Sequence, residues 1–522
     1  MSELANGWIK RVSVTPPSLK DNTADTDRFE NALKAVLNIE IADIDLTLSR
    51  KLPDLLRKYD FNLRCILFKD HKKWRLAGIT GDDYEIVAGL AVDLGTTTVV
   101  VRLLDLSTGR TMAEYSFSNP QISIGPDILT RIHFAEKENG IETLNSLIID
   151  GLNRAIAELC RSGNISPSVI YLISVAGNTA MTHLFLGLNP RFLIREPYIP
   201  VINRPGCLNA GELGINANQS AKVFVFPNTG SYFGGDLVAG ILYSGLNCSE
   251  KTAILVDVGT NAEVVLGNKN WLVACAGAAG PALEGGVTKM GMMAGPGVID
   301  KVSVDSETGL FSIHTIEDLP PRGICGSGVI DLAAVLFLSG MIDICGKFVP
   351  GACKGKLKEK DGLKHFVLVP ADESAEGNDL SITQADIDSL IRSKAAMYTI
   401  LETIASYVGI SLTELSTFYV AGTFGSLINP HSAITIGMMP DLSEGTYKSI
   451  GNSSLEGATM ILKDCRLMDE IDAIRNCITY IELNVNQDFM NRFSAARFIP
   501  HTNLSLFPSV KPVGFSSAQE KD

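Results

Sequence analysis

Short apolar runs separated by polar turns recur along this chain, and twice they recur in the same order. Leu90-Ala91-Val92 leads into Asp93-Leu94-Gly95-Thr96; Val99-Val100-Val101 follows, then the turn Leu106-Ser107-Thr108-Gly109 and an alternating stretch at 111–117. Much later, Ile254-Leu255-Val256 leads into Asp257-Val258-Gly259-Thr260; the run 262–266 follows, then the turn Gly267-Asn268-Lys269-Asn270 and the stretch 271–275. Runs of this length bounded by Gly, Asn and Ser predict two three-strand meanders, each with a tight turn after its first strand. A period near 3.6 marks 141–159 as an amphipathic helix, and further helices are predicted at 27–36, 53–57, from Ser327 to about 338, and from about Thr383.

The tight turns carry chemistry. Glycine lets a turn backbone approach a phosphate, and threonine hydroxyls and amides donate hydrogen bonds to it. An aspartate closing the first strand faces a magnesium ion, usually through the ion's water. One Asp-x-Gly-Thr is weak; two at domain-sized separation, each inside the same meander, predict duplicated ribonuclease H-like units gripping a nucleotide between them. Asp93 and Asp257 are therefore expected to hold hydrated magnesium, with Gly95, Thr96, Thr97, Gly259, Thr260 and Asn261 on the phosphates. Glu263 is a candidate to orient an attacking water, although a satisfied strand residue reads the same way. Phe418-Tyr419-Val420-Ala421-Gly422-Thr423-Phe424-Gly425 reads as a strand and glycine turn where adenosine would lie, because a side chain at Gly422 or Gly425 would block the purine and ribose. The starts at Asn178 and Ser327 are expected to hinge the lobes, the small-residue run 276–286 to pass close to nucleotide or hinge, and Asp236 to cap a helix.

Composition narrows the function classes. At 522 residues, 46% apolar and 20% charged, the chain is globular and long enough for about three domains. A net charge of −13 argues against a non-specific nucleic-acid surface. The N-terminus lacks signal-peptide character, and the apolar run 332–341 is too short for a membrane span, so a cytoplasmic protein is expected. The ten cysteines include no C-x-x-C and no ferredoxin run, so no iron–sulfur cluster is expected. Seven histidines without metal-ligand spacing argue against zinc or Ser-His-Asp chemistry. The methionines at 290, 292 and 293 read as packing. The expected organisation is a small α/β domain at 1–87, a first actin-like ATPase lobe at 88–250, a second at 251–497 and a C-terminal tail at 498–522 that wraps onto the body.

The stretch Gly89-Leu90-Ala91-Val92-Asp93-Leu94-Gly95-Thr96-Thr97-Thr98 and the segment Ser118-Asn119-Pro120-Gln121 with Gly125 and Asp127 resemble ATP-dependent reductive activators of corrinoid proteins. So do 175–181, 256–263, 280–285 and Pro500-His501-Thr502-Asn503, the likeness covering about 8–510. That group belongs to the acetate and sugar kinase, heat-shock chaperone and actin superfamily. The resemblance implies ATP and magnesium as cofactors and an ATPase that supports reduction of Co(II) to Co(I) in the corrinoid protein of a methyltransferase system. Most members carry a ferredoxin domain or ferredoxin cysteines, which this sequence lacks; Met1 falls where the domain after the ferredoxin normally begins. Electrons are then expected from a separate low-potential donor, a ferredoxin or flavoprotein, and a homodimer is compatible with the sequence. The alternatives are an activator of an acyl-CoA dehydratase with a dimer-bridging cluster, a small-molecule kinase, and a non-catalytic ATP-dependent binding module.

Overall fold

In the N-terminal segment, alternating apolar residues build a sheet that two amphipathic helices cover. β1 (Ile9–Ser13), α1 (Asp25–Leu37), β2 (Ala42–Asp43), α2 (Leu46–Lys58), β3 (Asn62–Asp70) and β4 (Lys73–Thr80) form it, in strand order β1-β3-β4-β2. Phe29 and Leu33 of α1 and Leu52 and Leu56 of α2 are buried with Val12, Leu63 and Leu67 of the sheet. These are features of a computed structural model that describes residues 4, 6–38, 42–44, 46–70, 73–81, 85–259, 262–277, 288–305, 310–353, 355–360, 362–483 and 487–511. Thr260, Asn261 and most of the small-residue run 276–286 lie outside the described residues.

The first predicted meander is β5 (Ala88–Leu94), β6 (Thr98–Asp105) and β7 (Thr111–Ser118). After it come α3 (Ile128–Ala135), α4 (Gly140–Ser162), β8 (Ile170–Gly177), α5 (Thr179–Phe185), β9 (Cys207–Asn209), β10 (Lys222–Val225) and α6 (Gly235–Ser244). The sheet order is β7-β6-β5-β8-β10-β9, with β8 parallel to both β5 and β10. Every residue of β8 is buried, as a central strand covered on both faces requires.

The second meander is β11 (Ala253–Val258), β12 (Ala262–Asn268) and β13 (Trp271–Gly277). A small sheet of β14 (Val298–Val304), β15 (Phe311–Thr315) and β16 (Gly323–Ile324) leads into α7 (Gly326–Leu338). A second small sheet, β17 (Leu357–Lys360), β18 (Leu363–Val369) and β19 (Leu380–Thr383), leads into α8 (Gln384–Tyr407). The start of α8 is set by a capping box in which Thr383 and Asp386 exchange side-chain and backbone hydrogen bonds. β20 (Thr417–Ala421), α9 (Gly422–Leu427), α10 (Pro430–Thr435) and β21 (Tyr447–Gly451) follow, and β20 is parallel to both β11 and β21. Both large sheets thus extend a meander, on the side of its first strand, by two parallel strands. The duplication read from the two Asp-x-Gly-Thr loops is architectural, and the α/β fold is the ribonuclease H-like one expected.

The chain forms two compact units whose bounds are not those of the sequence reading. One unit comprises 1–245 with 453–478, the other 246–452 with 479–522. α11 (Ser453–Lys463) and α12 (Leu467–Cys477), placed by the sequence reading within a second lobe at 251–497, therefore belong to the first unit. Close packing explains this. A Cβ at Gly457 would collide with the backbone carbonyl of Ala239, so α11 and α6 cross nearly backbone to backbone. Arg102 of β6 reaches Glu456 at 2.8 Å, Trp8 Nε1 donates to Ile461 O at 2.7 Å, and Lys69 pairs with Asp469 at 2.6 Å. The N-terminal segment 1–87 keeps its own core yet falls in the same unit.

The second unit is completed by β22 (Ile478–Tyr480) beside β13 and by α13 (Gln487–Ala496) against α8. The chain beyond α13 packs on α8: buried Lys394 donates to Phe498 O at 2.5 Å and Pro500 O at 2.7 Å. His501 lies against Tyr398 and Phe507, and its Nδ1 accepts the Asn503 amide at 3.0 Å. No helix among the described residues is long and apolar enough to cross a membrane.

Two consequences are measurable. Gly457→Val forces a branched side chain into the α6 backbone and should cost about 2 kcal/mol or more in denaturant unfolding, whereas Gly445→Val, at a position with open space, should cost far less. Burial, then the Lys394 charge, draws the His501 pKa down to about 4 from its ordinary 6.5. As pH falls through that window the unfolded chain takes up a proton that the folded chain refuses, so stability should drop. The drop should be shallower in His501→Gln; equal slopes for parent and variant between pH 6.5 and 4 would contradict this.

Candidate functional site

In the first unit, Asp93 is the penultimate residue of β5, opposite Val100 of β6 and Ala176 of β8. Gly95 follows because a Cβ there would collide with the Thr98 carbonyl across the turn. The loop is then tied down carbonyl by carbonyl. Asn119 Nδ2 donates to Gly95 O at 2.9 Å, Arg131 Nη2 to Thr96 O at 2.7 Å, and the Asn119 amide to Thr97 O at 2.7 Å. Asn178, the N-cap of α5, receives the Met181 amide on Oδ1 at 2.9 Å and donates from Nδ2 to Thr96 Oγ1 at 3.0 Å. Among the described residues no acceptor takes the amide of Thr96 or Thr97.

In the second unit, Asp257 ends β11 one residue before the strand closes, opposite Glu263 of β12 and Ala421 of β20. Directly opposed residues of neighbouring strands share a face, so both carboxylates and the start of α9 meet there. Gly422 has φ +81, a left-handed conformation that favours glycine, and a Cβ on it would lie 3.1 Å from Asp257 Oδ1. Asp257 and Glu263, on neighbouring strands, are thus brought together with Gly422 from a distant stretch of chain. Gly259 follows β11 directly, while Thr260 and Asn261 lie outside the described residues. Thr423 is in the first turn of α9.

Two details differ from the sequence reading. The residues after β20 form a helix start rather than an open glycine turn. A Cβ at Gly425 would lie 2.7 Å from Val420 Cγ1 and 2.9 Å from Val420 O, so this glycine lets α9 pack back on its own strand. Asp236 is not the cap of α6; Gly234 occupies that position, and Asp236 accepts the Leu237 amide from within the first turn at 2.8 Å. Ser327, where a helix start was expected, lies in the first turn of α7 and donates to Asp300 O at 3.1 Å.

Sequence reasoning missed Arg131. Its signal was faint: a basic residue beside Ile132 and three after Ile128 in an apolar stripe, following an Asp127 cap. Asn119 and Gln121 were noticed only as part of a resemblance, since their partners are distant in sequence.

Comparison with known proteins agrees with this geometry. Residues 8–86 match a family model described as the RACo linker region, 88–249 the RACo middle region, and 251–511 the C-terminal domain of RACo, the ASKHA domain. The chain is 33% identical over 415 residues to the corrinoid activation enzyme RamQ of Eubacterium limosum, covering 78% of this chain and 69% of that protein. It is 24% identical over 434 residues to the [Co(II) methylated amine-specific corrinoid protein] reductase of Methanosarcina barkeri, covering 77% and 75%. A solved structure titled reductive activator for corrinoid, iron-sulfur protein superposes with TM-score 0.87 at 39% identity, over 98% of this chain and 81% of that one. Matched in order from residue 8 to 511, the chain belongs to the RACo family, ATP-dependent reductive activases built on an actin-like ASKHA domain.

Proposed function

We propose that this protein uses ATP to return the cobalt of a corrinoid protein in a methyltransferase system from Co(II) to Co(I), with the electron delivered by a separate low-potential ferredoxin or flavoprotein. The observation that carries the ATPase half is the shared face of Asp257, Glu263 and Gly422 at the end of β11. Like charges directly opposite on paired strands repel, and a site for a divalent cation relieves that cost. The Asp257 and Glu263 pair therefore fits hydrated magnesium. When bound, the ion neutralises polyphosphate charge and favours attack at the terminal phosphorus.

The chain's own residues do the rest. The outward amides of Thr96 and Thr97, with Gly95 keeping the backbone close, bind phosphate oxygens; Gly259, Thr260 and Asn261 do the same from the second loop. Glu263 orients the attacking water and accepts its proton. Gly422 leaves the approach to Asp257 open, with Thr423 beside it at the start of α9. The corrinoid half rests on family membership and on the names carried by the relatives. Co(II) resists reduction because an axial ligand, water or histidine, stabilises it. A partner that binds the ligand-free geometry more tightly in its ATP state would raise the potential without carrying the electron, each 1.4 kcal/mol of differential affinity shifting the population about tenfold.

The test combines this protein, ATP, magnesium, a corrinoid protein in the Co(II) state and a low-potential reductant, followed by visible absorbance. Co(I) should accumulate only when protein, ATP and reductant are all present. Asp257→Ala, which leaves the bound cation under-neutralised, should slow both ATP hydrolysis and Co(I) formation on the order of a hundredfold. Co(I) at the parent rate without ATP, or an Asp257→Ala protein that hydrolyses ATP like the parent, would overturn the reading.

A further inference from the structure

Behind the first phosphate loop lies a buried polar cluster, contributed by the Asn119-Pro120-Gln121 segment and α3. Asn119, Gln121 and Arg131 are 1%, 0% and 0% exposed. Each nitrogen of the Arg131 guanidinium donates to a neutral acceptor: Nε to Gly125 O at 2.9 Å, Nη1 to Gln121 Oε1 at 3.2 Å and Met181 Sδ at 3.3 Å, and Nη2 to Thr96 O at 2.7 Å. Gln121 is itself fixed by donating Nε2 to Leu144 O at 2.8 Å. Among the described residues no carboxylate stands within ion-pair distance of this guanidinium; Asp127, the nearest acid acting on it, is occupied capping α3. Burying an arginine without a counter-ion is costly, so an arrangement that holds one by hydrogen bonds at all three nitrogens, yet unneutralised, calls for a return on that cost.

The return is visible in the loop. A trans peptide points its N–H opposite to its C=O. Arg131 and Asn119 together hold the three consecutive carbonyls of Gly95, Thr96 and Thr97 on the inner side. The amides of Thr96, Thr97 and Thr98 are thereby turned to the other side, away from the cluster, with a positive charge behind the loop. Such a concavity of outward amides is an anion site. We propose that Arg131 and Asn119 are positioning residues for nucleotide: they lock the first loop with its amides outward, and the unpaired guanidinium behind the loop biases it toward a polyphosphate. This inference rests on the ATPase reading above and assigns the loop's preorganisation to residues outside the loop.

Calorimetric titration of the full chain with ATP and, separately, AMP tests it, using Arg131→Met, Arg131→Lys and Asn119→Ala. Arg131→Met should weaken ATP at least thirtyfold and AMP by less than threefold, because only the phosphate-rich ligand exploits the loop and the charge. Arg131→Lys, which restores the charge and one donor, should recover at least a third of the lost factor on a logarithmic scale. Asn119→Ala, which removes the side-chain bonds to Gly95 O and from the Gln121 amide and keeps the backbone bond to Thr97, should weaken ATP about tenfold; it decides the matter if the Arg131 variants do not fold. Folded variants that bind ATP like the parent overturn the proposal, as does an equal loss for ATP and AMP or no recovery with lysine. If the parent itself fails to bind ATP, the ATPase reading falls instead, so the two failures are distinguishable.

Discussion

A phosphate chain is held by backbone only where successive amides face it and stay facing it, and a flexible glycine loop does not do so unaided. In this protein the loop after β5 gains its order from behind. Its carbonyls are engaged by Asn119 and Arg131, its Thr96 hydroxyl by Asn178, and Gly95 admits the close turn over Thr98 O. The elements around the loop serve that arrangement. β5 lies between β6 and β8, which fixes where the loop emerges; α3 brings the guanidinium underneath; α5 begins with the asparagine that reaches Thr96. Preorganisation of this kind places electrostatic stabilisation in the fold, leaving little to reorganise when charge arrives.

The two units repeat a sheet but not a site. Asp93 faces Val100 across its meander, whereas Asp257 faces Glu263. One half therefore offers a carboxylate beside an apolar strand, and the other offers a pair of carboxylates with Gly422 alongside. Such asymmetry gives the second unit a carboxylate pair suited to holding a hydrated cation and handling its water.

Much of this was legible from residues. The paired Asp-x-Gly-Thr loops announce themselves because phosphate binding demands small and hydroxyl residues in fixed order. The helix after Thr383 is announced by its cap, and the meanders by alternation and turn residues. What stayed hidden was long-range. The pattern of 453–477 shows helices with a buried face but not which core receives it; Gly457 against Ala239 decides that, and neither residue signals the other. The packing role of Gly425 stayed hidden because a glycine's purpose cannot be read without its neighbour, here Val420. Arg131 carried little sequence signal of its role, since its acceptors, Gln121 with Gly125, Thr96 and Met181, come from three separate stretches of chain.

The proposed coupling of ATP to cobalt asks nothing of this chain as an electron carrier. It requires only that the nucleotide state alter its affinity for one coordination geometry of a corrinoid partner, and reciprocity then makes that partner alter nucleotide affinity. The central claim is thus about ligation of cobalt before any electron moves. Electron paramagnetic resonance of a Co(II) corrinoid protein, recorded with this protein and a non-hydrolysable ATP analogue and without reductant, tests it most directly. The account predicts loss of the axial-ligand signature when protein and nucleotide are both present and its retention when either is omitted. An unchanged spectrum from a complex shown by sedimentation to have formed would contradict it.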